Sequence, residues 1–332
     1  MISSKDVAKL AGVSQATVSR VMNNPESVKP STRKKVLWAM EQLNYKPNLI
    51  ARSLITKSTR TIALISGSLN NGFFVETTNS IVNLATKHGY KTMVFFEESA
   101  STREIFDTVM GNKVDGILMS NIALDDPLFE EIERSGIPYM FFNRRPRHGG
   151  NYVVLDNIMA GKIIANHLLD LGHVRIAYIS GNLNLSTFYE RKQGFELALR
   201  EANVEICQEL MCVINPTASE VEKATWNLLQ MKNPPTAIIY ATDAMALIGM
   251  DTIMSMGYAI PEDISIAGID DIKISSHHAV QLTSVAHHKF LIGEIAVESL
   301  IKMIEDGDNF QKPHQIVLKP EIVVRKTTAR KK

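Results

Sequence analysis

The chain has 332 residues, 45% hydrophobic and 21% charged, enough to bury substantial cores and too apolar for a disordered polymer. Thirty-six Lys+Arg against 35 Asp+Glu leave a net charge of +1, so a basic surface must come from segregation of charge along the chain. No run approaches the roughly eighteen uninterrupted apolar residues of a membrane span, and no apolar run follows the opening Met1-Ile2-Ser3-Ser4-Lys5, so a bacterial cytoplasmic protein without membrane contact is expected.

Charge is indeed segregated. Residues 1–60 hold eleven Lys+Arg and three acids, a net +8, and the remainder holds 25 Lys+Arg against 32 acids, a net −7. A basic segment on an acidic body points to nucleic acid, because phosphate contacts release counterions. The plainer reading of that charge is a solvated basic face.

The pattern of residues 3–23, SSKDVAKLAGVSQATVSRVMN, favours the first reading. Ser3 is placed to cap a first helix, with Asp6 in its opening turn. Val7, Leu10 and Ala11 are expected on its inner face. Gly12 sits where the chain must turn, Val13 plugs between helices, and Ser14 caps a second helix from about Gln15 to Asn23. Val18 and Val21 point inward. Gln15, Ala16, Ser19 and Arg20 face outward near the N-terminal end, the end that meets base edges in a helix-turn-helix. Arg20 suits guanine, Gln15 suits adenine, and the Ala16 methyl suits thymine. Ser14, Thr17 and Asn23 suit phosphates. A third helix is predicted over Pro30–Leu43, with Val36, Met40 and Leu43 closing the small core and Trp38 packed into it beside Met40.

DVAKLAGVSQATVSRVMN, PSTRKKV and NYKPNLIARSL together resemble the lactose/galactose-repressor (LacI-type) family of bacterial transcriptional regulators. The resemblance implies a helix-turn-helix domain over 1–46, a hinge segment over 47–60, and a two-lobed effector-binding and dimerisation body over 61–332. It implies that the hinge folds on operator DNA, with Leu54 wedged into the minor groove and Ala51 one turn before it. An apolar side chain on a short basic segment (Arg52, Lys57, Arg60) is a physically sound wedge. So short a segment is not a stable helix alone, so its folding can couple DNA affinity to the body.

From Thr61 the pattern alternates strands and helices. Strands are predicted over Thr61–Ser66, Lys91–Phe96, Asp115–Met119, Pro138–Phe142, Arg175–Ser180, Ala237–Tyr240 and Ile264–Gly268. Helices are predicted over Glu76–Gly89, Asn157–Leu171, Tyr189–Ala202, Ser219–Met231, Ala244–Met256 and Lys289–Glu305. Such alternation implies parallel α/β sheets flanked by helices, and two runs of about 130 residues imply two lobes with a ligand cleft at strand C-termini. The resemblance adds a periplasmic-binding-protein-like body whose lobes exchange strands at crossovers.

Arg191, in an Arg-x-x-Gly-Phe stretch, and Asp270, just past a strand, are the candidate effector residues; an arginine and a carboxylate converging on a cleft bind hydroxyls through paired hydrogen bonds. A structural ion pair is the alternative. The resemblance also points to Asn143 and to Phe74, the latter weighed against core packing, and Asp156 is expected to line the same cleft. Thr242 stands where many relatives have Asn and His287 where several sugar-inducible relatives have Gln. No aromatic stands near Pro216. These departures weigh against a simple hexose, and a sugar, sugar acid or sugar phosphate is expected as effector, with no cofactor and no metal.

Rival readings fare worse. Gly67–Gly72 has a phosphate-loop spacing, but Phe73-Phe74 replaces the Lys-Ser/Thr pair. No G-x-S-x-G elbow is present. Cys207 and Cys212 read as ordinary thiols, and the adjacent pairs His277-His278 and His287-His288 diverge too much to chelate a metal. An α/β enzyme or an exported solute receptor is therefore disfavoured. One helix-turn-helix per chain implies a homodimer on a pseudo-palindromic double-stranded operator. Whether the effector releases DNA, or a corepressor of the purine type or a phosphoprotein promotes binding, stays open.

Overall fold

The computed structural model describes residues 2–46, 58–96, 101–286, 289–307 and 313–331. It divides into two compact units, Met1–Thr59 and Arg60–Lys332.

In the first unit, α1 (Ser4–Ala11), α2 (Gln15–Asn23) and α3 (Pro30–Gln42) surround a core of Val7, Ala8, Ala11, Val18, Val21, Val36 and Ala39. Two sequence expectations fail here. Leu10 is 42% exposed and Trp38 is 52% exposed. With about 100° per residue, the buried stripe of α1 centres between Val7, Ala8 and Ala11, which leaves Leu10 roughly a quarter turn or more away. Trp38 lies about 200° from Val36, on the opposite face of α3 from the core.

The second unit is a pair of α/β lobes. In chain order it contains β1 (Thr61–Ser66), α4 (Gly72–Lys87), β2 (Lys91–Phe96), α5 (Thr102–Gly111), β3 (Gly116–Met119), α6 (Leu128–Ser135), β4 (Tyr139–Phe142) and β5 (Tyr152–Leu155). Then follow α7 (Asn157–Asp170), β6 (Ile176–Ser180), α8 (Ser186–Glu201), β7 (Met211–Val213), α9 (Ala218–Leu229), β8 (Ala237–Tyr240), α10 (Asp243–Ser255), β9 (Ser265–Asp270) and β10 (Thr283–Ala286). Last come α11 (Lys289–Asp306), β11 (Gln315–Leu318) and β12 (Glu321–Val323). One sheet has the order β11-β5-β4-β3-β1-β2, the other β12-β10-β9-β8-β6-β7. All pairings are parallel except β10 with β12. Central strands such as β1, β6 and β8 are apolar runs buried on both faces, as parallel sheets require.

Two consecutive runs do not describe these lobes. Ile292, Ala296, Val297 and Leu300 of α11 pack with Ile62, Leu64, Leu118 and Phe142, so the late helix completes the first lobe. Ala160, Ile164 and Leu168 of α7 pack with Ile176, Ile238 and Ile266 in the second. Among the described residues the chain therefore changes lobe after β5, after β10 and after β11. Among the described residues no helix is long and apolar enough to cross a membrane.

Candidate functional site: a helix-turn-helix face and an interlobe cleft

The helix-turn-helix is fixed by local hydrogen bonds. The Ser3 N–H and hydroxyl both donate to the Asp6 carboxylate at 2.8 Å, and the backbone bond, followed by the hydroxyl bond, holds that carboxyl below its usual range. Gly12 turns the chain at φ +64°, which costs a glycine nothing. Ser14 accepts from the Thr17 N–H at 3.1 Å, and their hydroxyls lie 2.9 Å apart. The Gln15 amide donates to Ser4 Oγ at 2.9 Å, tying α2 to the start of α1. Gln15, Ala16 and Arg20 are exposed, while Thr17 and Ser19 are half-buried. The Asn23 side chain, Ala51 and Leu54 lie outside the described residues.

The cleft is built where strands of both lobes end. Asn143 follows β4, and Asp270 is the last residue of β9, which runs two residues beyond its expected end. Both take positive φ, 65° and 129°, in a chain where such backbone suits glycine; strain of this kind collects at functional sites. Arg191 rises from α8 and is fully buried. Its Nε donates to Asn157 Oδ1 at 2.9 Å, one Nη to Asp270 Oδ1 at 3.0 Å, and the other Nη to the Ala241 carbonyl. Thr187, in the first turn of α8, donates its hydroxyl to the Asn143 carbonyl at 2.9 Å and so joins the lobes.

Phe74 is 6% exposed, packs edge-on against Phe73 with centroids 5.2 Å apart, and carries the Arg144 guanidinium 5.9 Å above its ring. These aromatics meet Ile272 of the second lobe. Helix α4 starts at Gly72 rather than near Glu76 because Asn71 caps it, accepting from the Phe73 N–H at 3.0 Å. A small cavity of about 20 Å³ remains, lined by Asn71, Phe73, Phe74, Asn143, Arg144, Thr187, Phe188, Arg191, Thr242 and Asp270. That is room for about one water. Larger hollows, of about 430 and 420 Å³, lie beside α9 and are lined by few buried polar groups.

The cleft thus gathers Phe74, Asn143, Arg191, Thr242 and Asp270. Thr242 also caps α10 through the Met245 N–H at 3.3 Å. Asp156 is not among the lining residues; it caps α7 through the Met159 N–H at 2.9 Å. His287 lies outside the described residues. Sequence reasoning passed over Asn71 and Arg144, which line the cavity from the first lobe, and Thr187 and Asn157, whose partners lie far along the chain. It also passed over Asp243, a fully buried carboxylate accepting from Ser275 Oγ at 2.5 Å, Ser284 Oγ at 2.6 Å and the Ile272 N–H at 3.2 Å. Burial pushes that carboxyl up to about 6, against the three donors.

Comparison with known proteins agrees with both halves. Residues 4–48 match the family model described as bacterial regulatory proteins, lacI family, and residues 165–328 match a periplasmic binding protein-like domain. The HTH-type transcriptional repressor PurR of Aliivibrio salmonicida is 34% identical over 331 residues, covering 98% of this chain and 99% of the relative. Catabolite control protein A of Priestia megaterium is 33% identical, covering 94% and 96%. The crystal structure of the Lac repressor dimer bound to operator and the anti-inducer ONPF superposes with a TM-score of 0.87 at 28% identity, covering 99% of each chain. A complex of the transcriptional regulator CelR with cellobiose superposes at 0.74, also 28% identical, covering 98% of this chain and all of that one.

Proposed function

Because the chain belongs to the lacI family of bacterial regulatory proteins, and is a DNA-binding transcriptional repressor with an effector-binding body, we propose that it acts in the cytoplasm on genes of carbohydrate use, binding its operator as a homodimer and answering a small molecule held between its lobes. The effector class is a sugar, sugar acid or sugar phosphate. The observation that carries this reading is the meeting of Arg191, Asp270, Thr187 and Asn143 at facing strand and helix ends of both lobes. Their donors and acceptors suit hydroxyl groups, and the Phe73–Phe74 pair supplies an apolar wall. The cellobiose complex of CelR supports a carbohydrate.

Since the cavity holds about one water, a sugar-sized molecule enters only as the lobes part. Its effect on DNA then depends on its differential affinity for the two lobe arrangements. In the inducer form of this reading, the effector favours an arrangement that separates the paired hinges around Leu54; in the corepressor form it favours the opposite one. On the DNA side, Gln15, Ala16, Ser19 and Arg20 read bases, Ser14, Thr17 and Asn23 hold phosphates, and Leu54 with Ala51 enters the minor groove over a hinge at 47–60.

The test is a titration of the full chain against promoter fragments at physiological salt, repeated with a panel of sugars, sugar acids, sugar phosphates and purines. A preferred fragment whose affinity shifts with one compound is expected. Equal binding to every fragment and to random DNA would reject the reading.

A further inference from the structure

The first passage between lobes ends at Asn157, the first residue of α7, whose side chain is buried. Its Nδ2 donates to the Leu155 carbonyl at 3.1 Å, back across the passage to the last residue of β5. Its Oδ1 accepts from Arg191 Nε at 2.9 Å. One uncharged amide thereby joins the end of a first-lobe strand to the arginine of the second-lobe cleft.

Glu190 is the neighbour of Arg191 on α8. Glu190 is 7% exposed and accepts from Arg145 Nη2 at 2.6 Å. Arg145 belongs to the first lobe, in the loop after β4, and its own N–H donates to Ser186 Oγ of the second lobe at 3.0 Å. Burial pushes the Glu190 carboxyl up, while Arg145 and Asn157 draw it down. A first-lobe loop is thus tied to α8 one residue before Arg191, and the end of β5 is tied to the Arg191 guanidinium through Asn157.

Asparagine fits this place for a chemical reason. It supplies a donor and an acceptor in one plane without charge. An aspartate would put a further anion beside Glu190 and Asp270. A leucine would leave the Arg191 Nε–H and the Leu155 carbonyl buried without partners.

We propose that Asn157 is the positioning residue for Arg191, and that Arg145, Glu190, Asn157 and Arg191 act as one series through which the placement of the first lobe sets the orientation of the effector-binding guanidinium. The proposal rests on Arg191 being an effector contact, as argued above. Lobe parting withdraws Arg145 from Glu190. The carboxylate then competes with the Leu155 carbonyl for the Asn157 Nδ2–H, and the amide turns, moving the Oδ1 acceptor that holds Arg191 Nε.

The test reads Arg191 directly and requires no effector. In the full chain labelled with ¹⁵N at arginine, the Arg191 Nε–H signal is identified by its loss in Arg191→Lys. In the unsubstituted protein that proton should exchange slowly at neutral pH. In Asn157→Leu its exchange should accelerate at least tenfold, and in Asn157→Asp, which keeps the acceptor, the slow exchange should return. In Arg145→Gln, at a side chain 30% exposed and outside the cavity lining, the signal should shift and exchange several-fold faster. Arg145→Gln keeps an amide donor near Glu190 and leaves the bonds of Asn157 in place, so it reports even where Asn157→Leu does not fold. An Arg191 signal unchanged in Arg145→Gln overturns the series, and one unchanged in Asn157→Leu overturns the positioning role. Either failure leaves the operator titration standing, so it is separable from failure of the proposed function.

Discussion

Arg191 and Asp270 are ion-paired at 3.0 Å, with side chains 1% and 4% exposed, at the same place where both line the interlobe cavity. Structural pairing and effector contact are therefore not exclusive here. The carboxylate keeps the guanidinium aimed, and the guanidinium retains N–H groups for a ligand hydroxyl.

Removing one partner should cost more than removing the contact. Arg191→Ala strands a buried carboxylate and is expected to lower the stability of the body by about 3–5 kcal/mol, whereas Asp270→Asn keeps a neutral acceptor and should cost less. Both should abolish the effector response. Thermal unfolding in parallel with operator release checks this; an Arg191→Ala protein that melts like the parent would show that the pair is not coupled.

On the DNA face, Arg20→Ala should lose roughly 1–3 kcal/mol of preference for operator over random DNA, the worth of a bidentate base contact. Lys35→Ala, at an exposed position of α3, should weaken both DNAs alike if it binds phosphate. Competition titrations separate the two behaviours. An unchanged specificity ratio for Arg20→Ala would mean that a different face of α2 reads the bases.

Gly161 of α7 and Gly194 of α8 let two helix backbones touch. A Cβ on Gly161 would fall on the Arg191 carbonyl, and one on Gly194 on the Ile158 carbonyl. Neither backbone yields cheaply, so Gly161→Ala and Gly194→Ala should each cost about 1–3 kcal/mol and displace Arg191. Calorimetry shows the first effect and a weakened effector response the second. Parent-like melting of both variants would contradict the close crossing.

Asp243 predicts a pH signature. Its folded carboxyl, at about 6, lies above the ordinary 3.8, so the folded chain holds this proton more tightly than the unfolded one. The resulting stability is fully present below about 3.8 and is lost as pH rises through about 6. Relative to Asp243→Asn, the unsubstituted protein should gain on the order of 3 kcal/mol between pH 7 and pH 4. Melting temperatures of both proteins across that range give the difference; a flat difference would reject the shift.

The sequence made some of this legible and hid the rest for physical reasons. Buried strands such as Thr61–Ser66 announce themselves as apolar runs, and Arg191 and Asp270 follow from the rule that parallel sheets bind ligands at strand C-termini. Three-residue edge strands such as Met211–Val213 carry too little periodicity to be seen, and Tyr152–Leu155 and Gln315–Leu318 were missed similarly. Trp38 is large and apolar, yet its angle on α3, about 200° from Val36, decides its exposure. Thr187 and Asn157 were invisible because their partners, Asn143 and Arg191, sit more than thirty residues away.

The return of α11 to the first lobe sets an order of events during synthesis. The DNA-binding unit needs only the first sixty or so residues, whereas the lobe that begins at Thr61 lacks part of its core until Ile292–Met303 has emerged. At typical elongation rates that interval is roughly ten seconds to a minute. During it, a nascent chain carries a folded DNA reader with no working switch, so the ribosome-bound repressor is, for that time, deaf to its effector.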